Sequence, residues 1–244
     1  MILVLVKRVK NVVMWGAKPA VASAIVISFI VFAVHSMFGF GVFQSSSWRL
    51  DLKLIFPSYM IVVPIVEMLI LLVILVFAKF YHASFNDLGL KKIDSKTLAK
   101  VLPALMVLYL VTLVVTFVLT NVIGPDPFSE SFTNASVPQN LLQLVIYLMF
   151  YLALVGPAEE LAFRGFIQRG MENSFGTIKG LLLASLMFGL PHMINYPYNA
   201  ATAIATGVVL GYVWQRTDRN TTATAILHGV FNSIGVILVY LGSF

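Results

Sequence analysis

Apolar residues run along this chain in long unbroken blocks rather than in alternation with polar ones. A block of about 20 apolar residues is long enough to cross a bilayer as a helix, and the lack of alternation argues against strands. The blocks run from Ala20 to Phe43, Leu54 to Ala78, Val101 to Ile123 and Asn140 to about Ala158, the last continuing as helix to Met171. Three more follow, from Lys179 to Ile194, from Ala200 to Trp214 and from Thr221 to Gly242. The pattern predicts an all-α polytopic membrane bundle of about seven spans, with an eighth or re-entrant piece at the N-terminus as the alternative count. Pro57 and Pro64 are expected to bend the second span. Ala203, Gly207 and Gly211, four apart, give the sixth a small-residue face suited to close packing.

The polar breaks complete the outline. Residues 1–18 mix apolar residues with Lys7, Arg8, Lys10 and Lys18, which fits an interfacial helix. Ser45 to Lys53 is a loop, and Lys79 to Lys100 reads as a basic amphipathic surface segment. Gly124 to Gln139 is a Pro/Ser/Asn loop, whose Asn134-Ala135-Ser136 matches a glycosylation sequon by chance composition. Asn173 to Gly176 is a turn signal. Residues 1–139 thus hold an amphipathic segment and three spans, and residues 140–244 hold the remaining core, in one integrated domain.

Composition narrows the class. Charged residues make up 11% and apolar ones 59% of the 244 residues, where soluble domains carry about 25% charge. The net charge of +6 does not call for nucleic acid, because membrane proteins concentrate Lys and Arg in cytoplasmic loops. With the N-terminus inside and seven spans, fourteen of the sixteen Lys and Arg fall inside, leaving Arg49 and Lys53 outside. There is no cysteine, which excludes disulfides, thiolate metal sites and cysteine nucleophiles.

Within this apolar chain, ionisable residues are costly and point to function. Glu159, Glu160 and Arg164 end the fourth block, and His192 and His228 lie in the fifth and seventh. Glu159 precedes the turn by as many residues as His192 follows it, sixteen on each side, or roughly 24 Å at helical rise. The two therefore sit level on antiparallel neighbours. The tip carries Arg164, Arg169, Glu172 and Lys179, so it is expected to project into the cytoplasm, with the Glu/His level in the cytoplasmic half of the bilayer. Glu160 and Arg164 stand at i and i+4, the favourable order for an ion pair, while Glu159 points about 100° away. Phe188 and His192 share a face at i, i+4, as do His228 and Asn232. A catalytic cavity is expected among spans four, five and seven. His35 reads as a packed, hydrogen-bonded histidine, and Glu67 as a structural partner for Arg or Ser/Thr groups, with an acid supporting the site as its alternative.

Two mechanisms fit a carboxylate and two histidines. In one, Glu159 is a general base that activates water, and the histidines with Asn232 stabilise a tetrahedral oxyanion. In the other, His192 and His228 bind a divalent metal such as zinc, with Glu159 or Asn232 as further ligand or proton carrier. HExxH is absent.

The motifs Glu159-Glu160-x-x-x-Arg164, Phe188-x-x-x-His192 and His228-x-x-x-Asn232 resemble the CPBP superfamily of CAAX proteases and bacteriocin-processing enzymes, in particular type II CAAX prenyl endopeptidases. The likeness covers residues 140–235 and includes the wording Ala158-Glu159-Glu160-Leu161-Ala162-Phe163-Arg164-Gly165-Phe166. Ala162, where a bulkier apolar residue is usual, and Pro191 are small departures. The resemblance implies an intramembrane endopeptidase acting near the C-terminus of prenylated or other membrane-associated peptides. It would make Glu159 the water-activating residue, with His192, His228 and Asn232 lining the cavity and Glu160 and Arg164 supporting it. The implied partners are the lipid bilayer and a lipidated peptide. Two other readings of the same chain are a non-catalytic scaffold or bacteriocin-immunity protein, and a small proton-coupled transporter using Glu67 and Glu159; no inverted repeat favours the transporter.

Overall fold

The computed structural model describes residues 15–39, 58–125, 137–194 and 197–242. Every regular element among them is helical. The interfacial reading of residues 1–14, the loop at 45–53, Pro57 and the sequon at 134–136 lie outside the described residues. Helix α1 is Ala17–Gly39, α2 Ser58–Phe80, α3 Ser95–Val122 and α4 the long composite Leu141–Phe175. Helix α5 is Thr177–Gly189 with a 3₁₀ turn at Leu190–Ile194, α6 is Pro197–Arg216 and α7 Thr221–Gly242.

Among the described residues seven helical rods follow the seven apolar blocks, and five of them (α1 to α4 and α7) are long and apolar enough to cross a membrane. Seven spans are therefore not established. Helix α5 has an apolar helical stretch of shorter length, and α6 is diluted by Asn199, Thr202, Thr206 and its glycines. Leu182 and Leu186 of α5 nonetheless face outward, as do Phe29, Met68, Leu72, Met106, Leu113, Phe117 and Leu238 on the longer helices. An apolar exterior of this extent fits lipid as solvent, where the backbone must satisfy itself within helices.

Side-chain caps set several helix starts. Asp94 accepts from the Thr97 amide at 2.7 Å, Asn140 from the Gln143 amide at 3.0 Å and Asn220 from the Ala223 amide at 3.1 Å, each meeting an orphan N–H of a first turn. The Thr97 hydroxyl and amide hold the Asp94 carboxyl below the usual carboxylate range. Helix α2 continues through Pro64 without a break. Helix α4 ends where Gly176 turns to φ +79°, a conformation that favours glycine.

One apolar layer grips α4, and a second joins α3, α6 and α7. On one side Ile27 and Val31 of α1 and Val66, Ile70 and Ile74 of α2 pack with Phe166. Trp15 stacks on Phe166 at 4.9 Å and donates its indole N–H to the Phe166 carbonyl at 2.9 Å. A second layer joins Val101 and Leu108 of α3, Leu210 and Val213 of α6, and Leu227 of α7. The small face of α6 meets α5: a Cβ at Gly207 would lie 3.2 Å from the Phe188 ring, and one at Gly211 would lie 2.4 Å from Leu181.

The segment between α2 and α3 is largely exposed, as a surface segment would be, but it is anchored at its turn. Lys79 is still in α2, α3 already begins at Ser95, and the turn between them docks against the core. Leu88 is buried, its carbonyl accepts from the Thr221 hydroxyl at 2.6 Å, and the Thr221 amide donates to the Gly89 carbonyl at 2.8 Å. Asn220 donates to the Lys92 carbonyl at 3.0 Å, and the Lys91 ammonium reaches the Asp218 carbonyl. These bonds clip the start of α7 in place.

Helices α4 and α7 approach through glycine. A Cβ at Gly156 would lie 2.4 Å from the Ala225 carbonyl oxygen, and a Cβ at Gly229 would lie 2.7 Å from the Tyr151 carbonyl oxygen. Backbone cannot yield as a side chain would. Gly229→Val is expected to lower stability by about 1–3 kcal/mol through overpacking, seen as a lower melting temperature in detergent. Gly235→Ala, which adds its methyl to open space, is expected to leave melting unchanged or slightly raised.

Candidate active site

The carboxylates lie where α4 departs from regular winding. π-Helical turns at Tyr151–Val155 and Leu161–Gln168 flank the five residues Gly156–Glu160. The Gly156 amide donates to Tyr151, five residues back. Such wide turns recur at functional sites. Here they occur where Gly156 lets α7 lie against the backbone, so the two residues after Pro157-Ala158 meet the helix that carries His228.

The adjacent carboxylates have different surroundings. Glu160 is 0% exposed; its Oε2 lies 3.3 Å from Nε of Arg164, and its Oε1 lies 3.1 Å from Nδ1 of His228. Glu159 is turned to a cavity of about 460 Å³, with its Oε2 3.6 Å from Nε2 of His228. One imidazole therefore spans two neighbouring carboxylates, with Nδ1–H donating to Glu160.

Phe188 holds the other groups together. The Arg164 guanidinium lies over its ring at 4.6 Å, and the rings of Phe163 and His192 stand 4.9 Å away and that of His228 5.9 Å away. His192 follows one turn later, in the 3₁₀ segment that ends α5. Its Nδ1–H donates to the Phe188 carbonyl at 2.8 Å, which leaves Nε2 as the acceptor of the neutral ring. Asn232, one turn beyond His228, lines the same cavity. Glu159, Phe188, His192, His228 and Asn232 thus share one cavity, while Glu160 and Arg164 are packed behind it.

Four residues are placed differently from the expectation drawn from sequence. Arg164 and Glu172 do not decorate the hairpin tip. Arg164 is 1% exposed beside Glu160. Glu172 is also buried, accepting from Gln168 at 2.9 Å, Gln215 at 2.7 Å and Arg219 at 3.0 Å; it ties α4 to α6 and its following turn. Glu67 has no Arg, Ser or Thr partner among the described residues; it lines the cavity and faces Glu159. His35 makes the expected hydrogen bond, to the Val31 carbonyl at 2.8 Å, yet it also lines the cavity near His192.

The cavity is therefore wider than a cleft among spans four, five and seven. Helices α1, α2, α3 and α6 also contribute walls, including Tyr109 and Thr202. The signal for Glu67 was present, as a carboxylate inside an apolar block, but its direction was not readable.

Zinc does not fit this arrangement. Among the described residues no group of three or more His, Asp or Glu side chains is disposed to hold a metal ion. His228 already has both ring nitrogens directed at carboxylates, and the His192 Nδ1–H is used by its own helix. The zinc reading of His192 and His228 is therefore not carried further.

The Glu160–Arg164 pair is fully buried, so removing one partner strands the other. Arg164→Met is expected to destabilise the protein by about 3–5 kcal/mol, read as a large drop in melting temperature or loss of detergent-stable protein. Arg164→Lys should not restore it, because an ammonium lacks the planar face that stacks on Phe188.

Comparison with known proteins agrees with the motifs. No curated protein and no solved structure matches the chain. Residues 141–234, which carry both carboxylates, Arg164, Phe188, both histidines and Asn232, match the family model described as Rce1-like, type II CAAX prenyl endopeptidase Rce1-like. That segment, which includes the groups packed around Glu159 and Glu160 from α4, α5 and α7, is similar to the Rce1-like endopeptidase family.

Proposed function

We propose that this protein is a membrane-embedded endopeptidase that hydrolyses a peptide bond near the C-terminus of a prenylated CAAX peptide or another membrane-associated peptide. The observation that carries the reading is the division of labour between neighbouring carboxylates. Glu160 is committed to Arg164 and His228, whereas Glu159 opens on a cavity it shares with His192, His228 and Asn232.

In this reading Glu159 takes a proton from water as the water oxygen attacks the scissile carbonyl. The free Nε2 of His192 accepts the water's second hydrogen and aims it. Asn232 donates its amide N–H to the oxyanion. His228, with Nδ1–H on Glu160, can add a second donor through Nε2 only when its ring carries both protons, and two flanking carboxylates suit that form. Glu160 and Arg164 hold His228 and α4 in register. No serine or cysteine nucleophile is required.

The charge distribution supports an N-terminus on the cytoplasmic side and a site reached by water from that side. The apolar outer surface lets a lipidated tail approach laterally while its peptide enters the cavity.

The test is cleavage of a farnesylated CAAX peptide by purified protein in detergent. Glu159→Gln is expected to lower kcat by about 100-fold or more with the fold intact, while wild-type cleavage persists after chelation and without stoichiometric zinc by elemental analysis. Full activity in Glu159→Gln would remove the assigned base. A chelator-dependent reaction would restore the metal reading.

A further inference from the structure

Glu67 is a buried ionisable group that this reaction leaves unused. It lies on α2, outside the segment shared with the endopeptidase family, and is 4% exposed. Its Oε2 is enclosed and accepts no hydrogen bond from the protein. Its carboxyl lines the cavity within hydrogen-bonding reach of Glu159. Among the described residues no Lys or Arg lines that cavity to offset a second negative charge, and Arg164 is engaged by Glu160. Two carboxyls can hydrogen-bond to each other only through a proton on one of them.

We infer that Glu67 and Glu159 form a carboxyl pair that shares one proton, with Glu67 holding it while Glu159 takes up the proton of the attacking water. The inference rests on the peptidase reading and extends it into the N-terminal half of the chain. At rest the pair carries one proton. When the water oxygen bonds to the carbonyl carbon, water's proton passes to Glu159 and the pair carries two. When the C–N bond breaks, one proton moves to the leaving nitrogen and the pair returns to one. Carboxylic acid and amine are released, and no oxidant, metal or further acid is needed. Glu67 acts through Glu159 by holding its hydrogen bond and its proton inventory.

The remaining titratable groups among the described residues that face this space are His35 from α1, Tyr109 from α3, Tyr151 from α4, His192 after α5 and His228 from α7. The His192 Nδ1–H is bound to a backbone carbonyl, and His228 Nδ1–H is bound to Glu160. Glu67 can hold a proton against Glu159 without breaking either of those hydrogen bonds.

Glu67→Gln keeps the size and a donor N–H but cannot exchange a proton; Glu67→Leu keeps only the volume. Both are expected to melt near wild type and to lower kcat on the farnesylated peptide by about 100-fold, with KM changed less than about twofold. Wild-type kcat in either folded variant would overturn the inference. A second arm needs no turnover. Infrared spectra at neutral pH are expected to show a protonated buried carboxyl in wild type that shifts in deuterium oxide and disappears in Glu67→Gln. Retention of that band in Glu67→Gln overturns the shared proton whatever the kinetics. If wild-type protein cleaves no peptide, the peptidase reading fails, and the infrared arm still decides whether the pair exists.

Discussion

Glu160 holds the centre of this structure because it cannot be left alone. A carboxylate enclosed by apolar helices is tolerable only with an opposite charge and donors around it. Arg164 supplies the charge from the next turn of its own helix, and His228 supplies a donor from across the bundle. The arginine in turn needs a surface for its planar face, which Phe188 offers. Four residues from three helices thereby fix one another. Glu159, one residue earlier and a third of a turn away, is carried to the cavity edge as a consequence. The costly buried charge makes sense as the means of aiming its neighbour.

That arrangement demands unusually close backbones. His228 reaches both carboxylates because Gly229, its immediate neighbour, lies against the Tyr151 carbonyl, and Gly156 lies against Ala225. Helices packing in lipid gain little from apolar burial alone and rely on such contacts between small residues. The π-helical turns on either side of Gly156–Glu160 fit the same need, since they let α4 widen where α7 presses in. Sequence, packing and chemistry are coupled at a single crossing point.

The sequence was legible where a local rule had a single reading. Long apolar runs gave helices, the Asn173–Gly176 signal gave the hairpin between α4 and α5, and i, i+4 spacing gave the Glu160–Arg164 and Phe188–His192 neighbours. Counting along the two arms correctly placed Glu159 and His192 at a common cavity. It failed where burial depended on a partner far along the chain. Arg164 and Glu172 looked like tip charges because nothing nearby in sequence announces Phe188 or Arg219 as their partners. The anchoring of the exposed segment after α2 was not visible because its docking bonds come from Thr221 and Asn220, more than a hundred residues later. Hydropathy alone also does not distinguish a short apolar helix such as α5 from a full crossing.

The two halves of the chain divide the cavity unequally. The segment shared with the endopeptidase family brings the carboxylates, the histidines and Asn232. Helices α1 to α3 bring His35, Glu67 and Tyr109, whose hydroxyl donates to the Phe231 carbonyl at 2.6 Å and pins α3 beside His228. Ionisable side chains at membrane depth are expensive wherever they fall, so a carboxylate on α2 facing Glu159 has no structural excuse comparable to that of Glu160. Apolar residues would fill its space at lower cost. Its position opposite Glu159 is therefore best understood through the proton chemistry proposed above, in which the N-terminal helices would shape the site as well as wall it.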